Sequence, residues 1–457
     1  MTASRFGSRR RFDVVIVGAG SAGSMAAYGL ALRGLNVALV DGRDFGRSGS
    51  RWVNYVPPWM FDAAGLPRPE SPELRATGGA FTIDAGDAQV TVENTPCQAV
   101  DMRALVARLQ GLALAAGVTP VERATVLGLD VRWGRPVSLS TSRGEFGAAL
   151  FIDASGMNGA VRRRVPQLER DCPSLGLGET CTAAQAVYGI ADPDAARAWV
   201  EARGLSSGQT VSEVGIAGGF SIMNGSIDLT KMEIDFLTGA VVGDTDQSGV
   251  DLLKRCRERL DFTGPLEFGG SGLLPMRRPY DRLVVEGVAL LGNAACQIFP
   301  AHGSGVGLGL IAASMLASHV GGGRDPGELR ALWTWQAAFQ REYGTLCAAY
   351  DVVRRLTQRL SREEQARMID AGLVTPRQLE RTLDQRMVLP DVRDALSFAR
   401  GLTREPRLAL RVVLALRPMA GVIAAYRTYP EEPSERALIE FSSRVGGLFG
   451  TPPEVRG

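Results

Sequence analysis

Gly18, Gly20 and Gly23 stand in a Gly-x-Gly-x-x-Gly spacing directly behind the apolar run Val14-Val15-Ile16-Val17, and an acid, Asp41, closes the next apolar run, Asn36 to Val40. This arrangement suits a dinucleotide. Glycine at 18 permits a tight turn out of a buried strand, glycine at 20 lets a pyrophosphate reach the backbone, and glycine at 23 lets the following helix lie close to the strand. Ser21 and Ala22 open that helix, whose free N–H groups and positive dipole end receive phosphate. Asp41 is placed to accept hydrogen bonds from an adenosine ribose and would repel a 2′-phosphate. The glycine spacing alone is weak evidence; the order strand, turn, helix, strand, acid makes it specific, without separating NAD from FAD.

Other reactive residues are few. Histidine occurs only at 302 and 319, lysine only at 231 and 254. His302 precedes a glycine-broken helix start, Gly303-Ser304-Gly305, where the helix dipole disfavours imidazolium. A neutral ring there could relay a proton, or simply pack in the turn. The six cysteines form no Cys-x-x-Cys pair and read as reduced thiols; Cys296 reads as a small buried space-filler. No metal-ligand spacing is present.

The 457 residues suffice for two or three domains, and 45% hydrophobic with 22% charged residues is ordinary globular composition. A net charge of +2 argues against a nucleic-acid partner. Arg9, Arg10 and Arg11 are followed by no cleavable apolar core, so a cytoplasmic protein is expected. The apolar stretch Leu408 to Tyr426 is interrupted by Arg411, Arg417 and Pro418, which suits a buried or interface helix or a peripheral membrane contact rather than a clean span.

A hairpin is expected at Ala80–Ile83 and Gln89–Glu93, then a helix capped by Asp101 and ended by Gly117. Strands follow at Thr125–Val131, Val137–Thr141 and Ala148–Asp153. Cys181 to Gly270 reads mostly as strand with one helix near Val250–Leu260. Phe268-Gly269-Gly270-Ser271-Gly272 is not a second nucleotide loop, because a loop and Pro275 follow it. Leu283 to Leu291 reads as one buried strand. Gly321-Gly322-Gly323 is a plausible linker into a helical tail from Pro326, with breaks at Pro390 and Pro406.

Three segments in this order resemble a known superfamily: the N-terminal glycine unit, Ile152-Asp153-Ala154-Ser155-Gly156 with Arg162 behind it, and Leu291-Gly292-Asn293 running through Ala295-Cys296-Gln297-Ile298-Phe299-Pro300 to Gly305. Together they resemble the p-hydroxybenzoate hydroxylase-like FAD-dependent oxidoreductases, and the last is most similar to the geranylgeranyl reductase branch. The resemblance covers residues 11 to 350. It implies a mixed α/β fold: a Rossmann-like FAD-binding domain (11–75, 101–180 and 275–325), interleaved with an antiparallel-sheet substrate domain (76–100 and 181–274) and followed by a helical region (326–457).

The same resemblance implies roles for particular residues. Gly18, Gly20, Ser21, Ala22 and Gly23 would hold the pyrophosphate and Asp41 the ribose. Gly42, Arg43 and Val126 would also belong to the cofactor site, Arg43 on the adenine side. Arg103 would reach the phosphates or ribityl chain, which Asp153, Gly156, Gly292 and Asn293 would line. Pro300, Gly303, Ser304, Gly305 and Val306 would pass under the isoalloxazine, with His302 as the catalytic candidate. Trp52, Tyr55, Phe220 and Met223 are candidates for an apolar substrate cavity, core packing being the alternative for each.

Relatives place an aspartate where Asn293 stands, and the Tyr-x-Trp-x-Phe-Pro lining of geranylgeranyl reductases is replaced by Gly218-Gly219-Phe220-Ser221-Ile222-Met223-Asn224. Halogenase chemistry needs a lysine between flavin and substrate, and none is suitably placed. Three readings follow: a reductase of an isoprenoid or polyene C=C bond, a monooxygenase of an aromatic or lipid-like substrate, and a non-catalytic flavin or lipid carrier. The two enzymes would need an apolar small-molecule substrate and an external electron donor such as transiently bound NAD(P)H.

Overall fold

The computed structural model describes residues 10–321, 323–387 and 391–450. Arg9, Gly322 and Pro390, named above, lie outside these residues.

Val14–Val17 is apolar at every position and buried at every position, as expected of a strand covered on both faces. It is central in a six-stranded sheet ordered Val284–Val285, Val288–Leu290, Leu150–Asp153, Val14–Val17, Val37–Val40, Thr119–Val121, parallel apart from the first pair. Helix Ser21–Ala31 packs on helix Val306–His319, and a Cβ at Gly29 would lie 2.8 Å from that of Ala317. The second helix is apolar nearly all round and almost wholly buried. Helix Met102–Ala115 starts as expected, Asp101 accepting the Arg103 N–H.

A seven-stranded sheet runs Thr263–Pro275, Thr180–Ile190, Glu233–Val241, Ser221–Asp228, Thr210–Val214, Phe81–Asp84, Gln89–Val92. The last two are the expected hairpin. One face is covered by helices Pro193–Ala202 and Gly249–Arg257, whose Val200 and Cys256 cluster with Tyr188, Met223 and Phe236. The other faces the glycine-loop layer: the Val53 N–H donates to Gln185 Oε1 at 2.5 Å, and Tyr55 Oη lies 3.3 Å from Thr210 Oγ1.

Two expectations need correction. Region 181–270 holds a second helix, Pro193–Ala202, because Asp192 caps two N–H groups and proline occupies its first turn. Leu283 to Leu291 is a tight hairpin, turned at Gly287 with φ +74°. The Phe268–Gly272 run lies inside the long strand Thr263–Pro275. Its glycines have opposite reasons: a Cβ at Gly269 would sit 2.4 Å from the Gln185 carbonyl oxygen, whereas one at Gly270 would meet nothing within 4 Å.

The tail is helical from Leu329 to Phe449, among the described residues. A buried ion pair anchors it: Arg354 and Asp351 are 0% and 1% exposed, and Arg354 also donates to the Gly178 carbonyl at 3.1 Å. Trp333 and Trp335 are core residues, their indoles donating to the Pro430 and Ala312 carbonyls.

Gly269→Ala is expected to destabilise by about 1–3 kcal/mol through forced strand separation. Gly270→Ala, on the open side, should stay within about 1 kcal/mol of the parent. Urea unfolding of the two variants side by side makes the comparison.

Candidate active site

The first glycine loop is shaped by contact. Gly18 has φ +109°, and a Cβ there would lie 2.2 Å from the Ala154 carbonyl oxygen; one at Gly23 would lie 1.9 Å from that of Gly18. These two glycines are obligatory for backbone approach. Gly20 differs: its nearest neighbour would be the Gly49 Cα at 3.5 Å, so it leaves a free side for a ligand. The start of helix Ser21–Ala31 has no side-chain cap, leaving its N–H groups for an anion.

Asp41 accepts the Ala19 N–H and the Arg43 N–H, each at 2.8 Å, one on each carboxylate oxygen. Each oxygen keeps a further acceptor position for a ribose hydroxyl. Beyond it, Gly42, Arg43, Arg47, Arg51 and Arg123 line an open hollow of about 440 Å³ with Asp44. Val126 lies nearby, half-buried at the head of its strand. The Arg103 guanidinium pairs with Asp101 at 2.6 Å and stacks 3.5 Å from the Phe268 ring centre.

Asp153 serves the loop behind it. Its carboxylate, fully buried, accepts from the Ser155 N–H and hydroxyl and from the Val161 and Arg162 N–H groups. It thereby fixes Gly156, whose φ of +70° and open Cβ side leave backbone bare to the cleft. Gly292, φ +62°, meets Ala22, so the first and third motifs touch. Asn293 is half-buried in the same turn, its Oδ1 3.4 Å from where a Gly305 Cβ would be.

Pro300 is buried, Phe299 N–H donates to the Ser304 carbonyl at 2.8 Å, and Gly303 turns with φ +77° into the helix that opens at Val306. Several buried polar atoms here lack any partner: His302 Nε2, Ser304 Oγ, Gln297 Nε2 and both amide atoms of Gln385. Buried polar groups are rarely left so. With the open glycines they form a cradle that fits an extended cofactor bearing many hydrogen-bonding atoms, as FAD does. His302 packs on Phe299 with ring centres 4.8 Å apart, and burial pushes its pKa down to about 4. The imidazole is therefore neutral at physiological pH.

The substrate-side candidates divide. Trp52 lies 3.8 Å from where a Gly272 Cβ would point, Tyr55 bonds Thr210, and Phe220 clusters with Met276 and Leu274, the residues nearest Gly303. These three lie where the glycine-loop layer meets the seven-stranded sheet. Met223 does not. Strand alternation turns it to the far face, against Cys256, beside Trp199 and Arg203 in a separate surface hollow of about 390 Å³. Its neighbour Asn224 faces inward, Oδ1 buried and unpartnered.

Two further contributors carry no motif. Asp235 lies deep on the inner face, accepting from Gln185 Nε2 at 3.2 Å; burial raises its pKa to about 7, against the opposing pull of Arg75. The tail also reaches the site. His302 lies against the backbone of Thr382, Cys97 Sγ donates to the Leu383 carbonyl at 3.2 Å, and the Trp59 indole donates to the Asp384 carbonyl at 2.9 Å. Tyr350, stacked on Phe299 at 4.4 Å, donates to the Arg386 carbonyl. The tail therefore caps the Pro300–Gly305 turn.

Residues 13–66 match the FAD-dependent oxidoreductase family. Across 93% of its length the chain is 24% identical to digeranylgeranylglycerophospholipid reductase of Sulfolobus acidocaldarius, covering 94% of that protein. The enzyme of that name from Methanococcus aeolicus is 22% identical over 68% of this chain and 76% of its own. The chain is an FAD-dependent oxidoreductase. Its fold matches a geranylgeranyl bacteriochlorophyll reductase-like protein of Thermoplasma acidophilum, with a TM-score of 0.67, 14% identity, and 90% and 100% of the two chains covered. A flavin-dependent brominase shares the fold at a TM-score of 0.57, 15% identity, and 82% and 94% coverage. The carrier alternative is thereby set aside: this oxidoreductase acts on a small molecule and draws electrons from a donor.

Gly18→Ala must strain both φ and the Ala154 contact, so FAD affinity should fall at least about tenfold, read by quenching of flavin fluorescence. Asp235 binds its proton more tightly folded than unfolded. It therefore lowers stability as pH rises from about 4 to about 7. Asp235→Asn should raise the Tm by a few degrees at about pH 8 and leave it unchanged at about pH 4.

Proposed function

We propose that this oxidoreductase reduces a carbon–carbon double bond of an isoprenoid or polyene lipid. The observation that carries the reading is the near full-length homology to digeranylgeranylglycerophospholipid reductases, joined to a cofactor cradle complete in this chain. FAD, when bound, supplies the hydride. The chain supplies the rest.

Gly18, Gly20, Ser21 and Asp41 hold the adenosine and pyrophosphate end; Gly156, Gly292 and Asn293 line the ribityl chain; Pro300 to Val306 lie along the ring system. Trp52, Tyr55 and Phe220 are the side chains we assign to the apolar substrate site, beside the strand positions Gly270 and Gly272. The Thr382–Arg386 strap excludes water from it. The saturated product needs a proton as well as a hydride. At physiological pH the neutral His302 ring has no acidic proton of its own; we assign it to relaying one that comes from solvent, taken up on one ring nitrogen as the other nitrogen gives one up, because Nε2 is buried and unpartnered. No second dinucleotide loop occurs in the sequence, so the donor, nicotinamide or another reductant, binds transiently.

Reaction of the anaerobically reduced protein with a geranylgeranyl lipid tests the assignment. Saturated product without oxygen consumption is expected; product labelled from dioxygen would establish the monooxygenase reading instead. His302→Asn should lower kcat by about 100-fold with the bound-flavin spectrum intact. Because the wild-type imidazole is already neutral above about pH 4, it should contribute no inflection to the rate between about pH 5 and about pH 8.

A further inference from the structure

We propose that the helices Val392–Arg404 and Pro406–Leu416 form a docking face for an anionic lipid bilayer, lying in its interface without crossing it. The proposal rests on the surface of the tail and does not depend on the reaction assigned above.

The second helix has two distinct sides. Leu408, Ala409 and Val412 are buried against a small core that includes Leu356 and Leu360. The opposite side carries Arg407, Leu410, Leu414 and Arg417, all exposed and spaced to fall on one stripe. Leu410 is 56% and Leu414 60% exposed, and Val413 beside them 46%. The preceding helix packs against this one and leaves Val392 76% and Leu396 54% exposed. Large aliphatic side chains gathered on adjoining helices mark an interaction surface.

The charge around them selects the partner. Residues 392–417 hold six arginines and two acids, in a chain whose whole net charge is only +2. One of those acids, Asp394, is engaged in the capping box of its helix. Arg393, Arg400, Arg407 and Arg417 are exposed and form no ion pair among the described residues. Leucines flanked by arginines form the pattern of a helix lying at the bilayer boundary: apolar tips enter the acyl region while guanidinium groups reach lipid phosphates. A second copy of this chain would oppose arginine to arginine across the same face, which is unfavourable.

Crossing the membrane is excluded by packing. Pro406–Arg427 is long and apolar enough to span, at 22 residues and mean hydropathy 1.8. Yet Leu408, Ala409 and Val412 are committed to one core, Val422 and Ala425 to another, and the Tyr426 hydroxyl accepts from Arg278 at 2.9 Å. Spanning would strip all of these contacts.

Co-sedimentation of the FAD-loaded full chain with phosphatidylcholine vesicles, with and without phosphatidylglycerol, tests the proposal. Pelleting is expected with the phosphatidylglycerol vesicles, falling as salt shortens the screening length from about 10 Å at 0.1 M to about 3 Å at 1 M. L410S/L414S should weaken binding by about tenfold or more, and R407Q/R417Q should abolish the preference for phosphatidylglycerol. All four side chains are exposed, so flavin absorbance should be retained in both variants and is checked in each. The proposal fails if the chain stays in the supernatant with both vesicle types, or if L410S/L414S pellets like the parent. A dimer lost in L410S/L414S by light scattering would assign the face to a second copy and overturn it equally.

Discussion

A side chain at position 18 would overlap its neighbour. The Ala154 carbonyl occupies the space a Cβ would need, the Gly18 carbonyl in turn occupies that of residue 23, and Gly292 abuts Ala22. Three loops distant in sequence therefore meet, Gly18 against the Ala154 backbone and Gly292 against the Ala22 methyl. The sheet order brings this about. Leu150–Asp153 and Val37–Val40 flank Val14–Val17 in parallel, so their carboxyl ends open on one edge, where α/β sheets bind ligands.

Burial then sets the chemistry of the space beyond. The same desolvation that raises Asp235 to about 7 lowers His302 to about 4, because each loses its charged form in a dry surrounding. Between those values neither carries charge. Buried groups that are neutral over this range suit an apolar ligand beside them. Arg75 opposes the shift at Asp235 but is itself paired with Glu233 and placed near Asp101, so its charge is largely spoken for.

Legibility in the sequence follows the kind of force involved. The glycine turns were readable because steric exclusion leaves only one residue type, and the Asp101 cap because a side chain makes the bond. The helix Pro193–Ala202 is announced only by Asp192 and Pro193, and it lies among strands on both sides. Met223 falls on the core-packing side of its two readings: alternation along Ser221–Asp228 turns it to the helix-covered face and Asn224 inward. Asp235 offered no signal, its character arising wholly from tertiary burial.

The strap over the active site was the least readable feature, and its bonding explains why. Helix Pro376–Leu383 ends there, and the last carbonyls of any helix have no intrahelical partner. Cys97, Trp59 and Tyr350 supply donors to the carbonyls of Leu383, Asp384 and Arg386. The site thus caps the helix, and the helix closes the site. Since the acceptors are main-chain atoms, almost any residues could occupy positions 382 to 386 and bind in this way. Gln385 is the exception: φ is +51° and its amide is buried without a partner. A strained backbone and an unsatisfied side chain at one position persist only where the surroundings hold them, which here are the very bonds on either side of it.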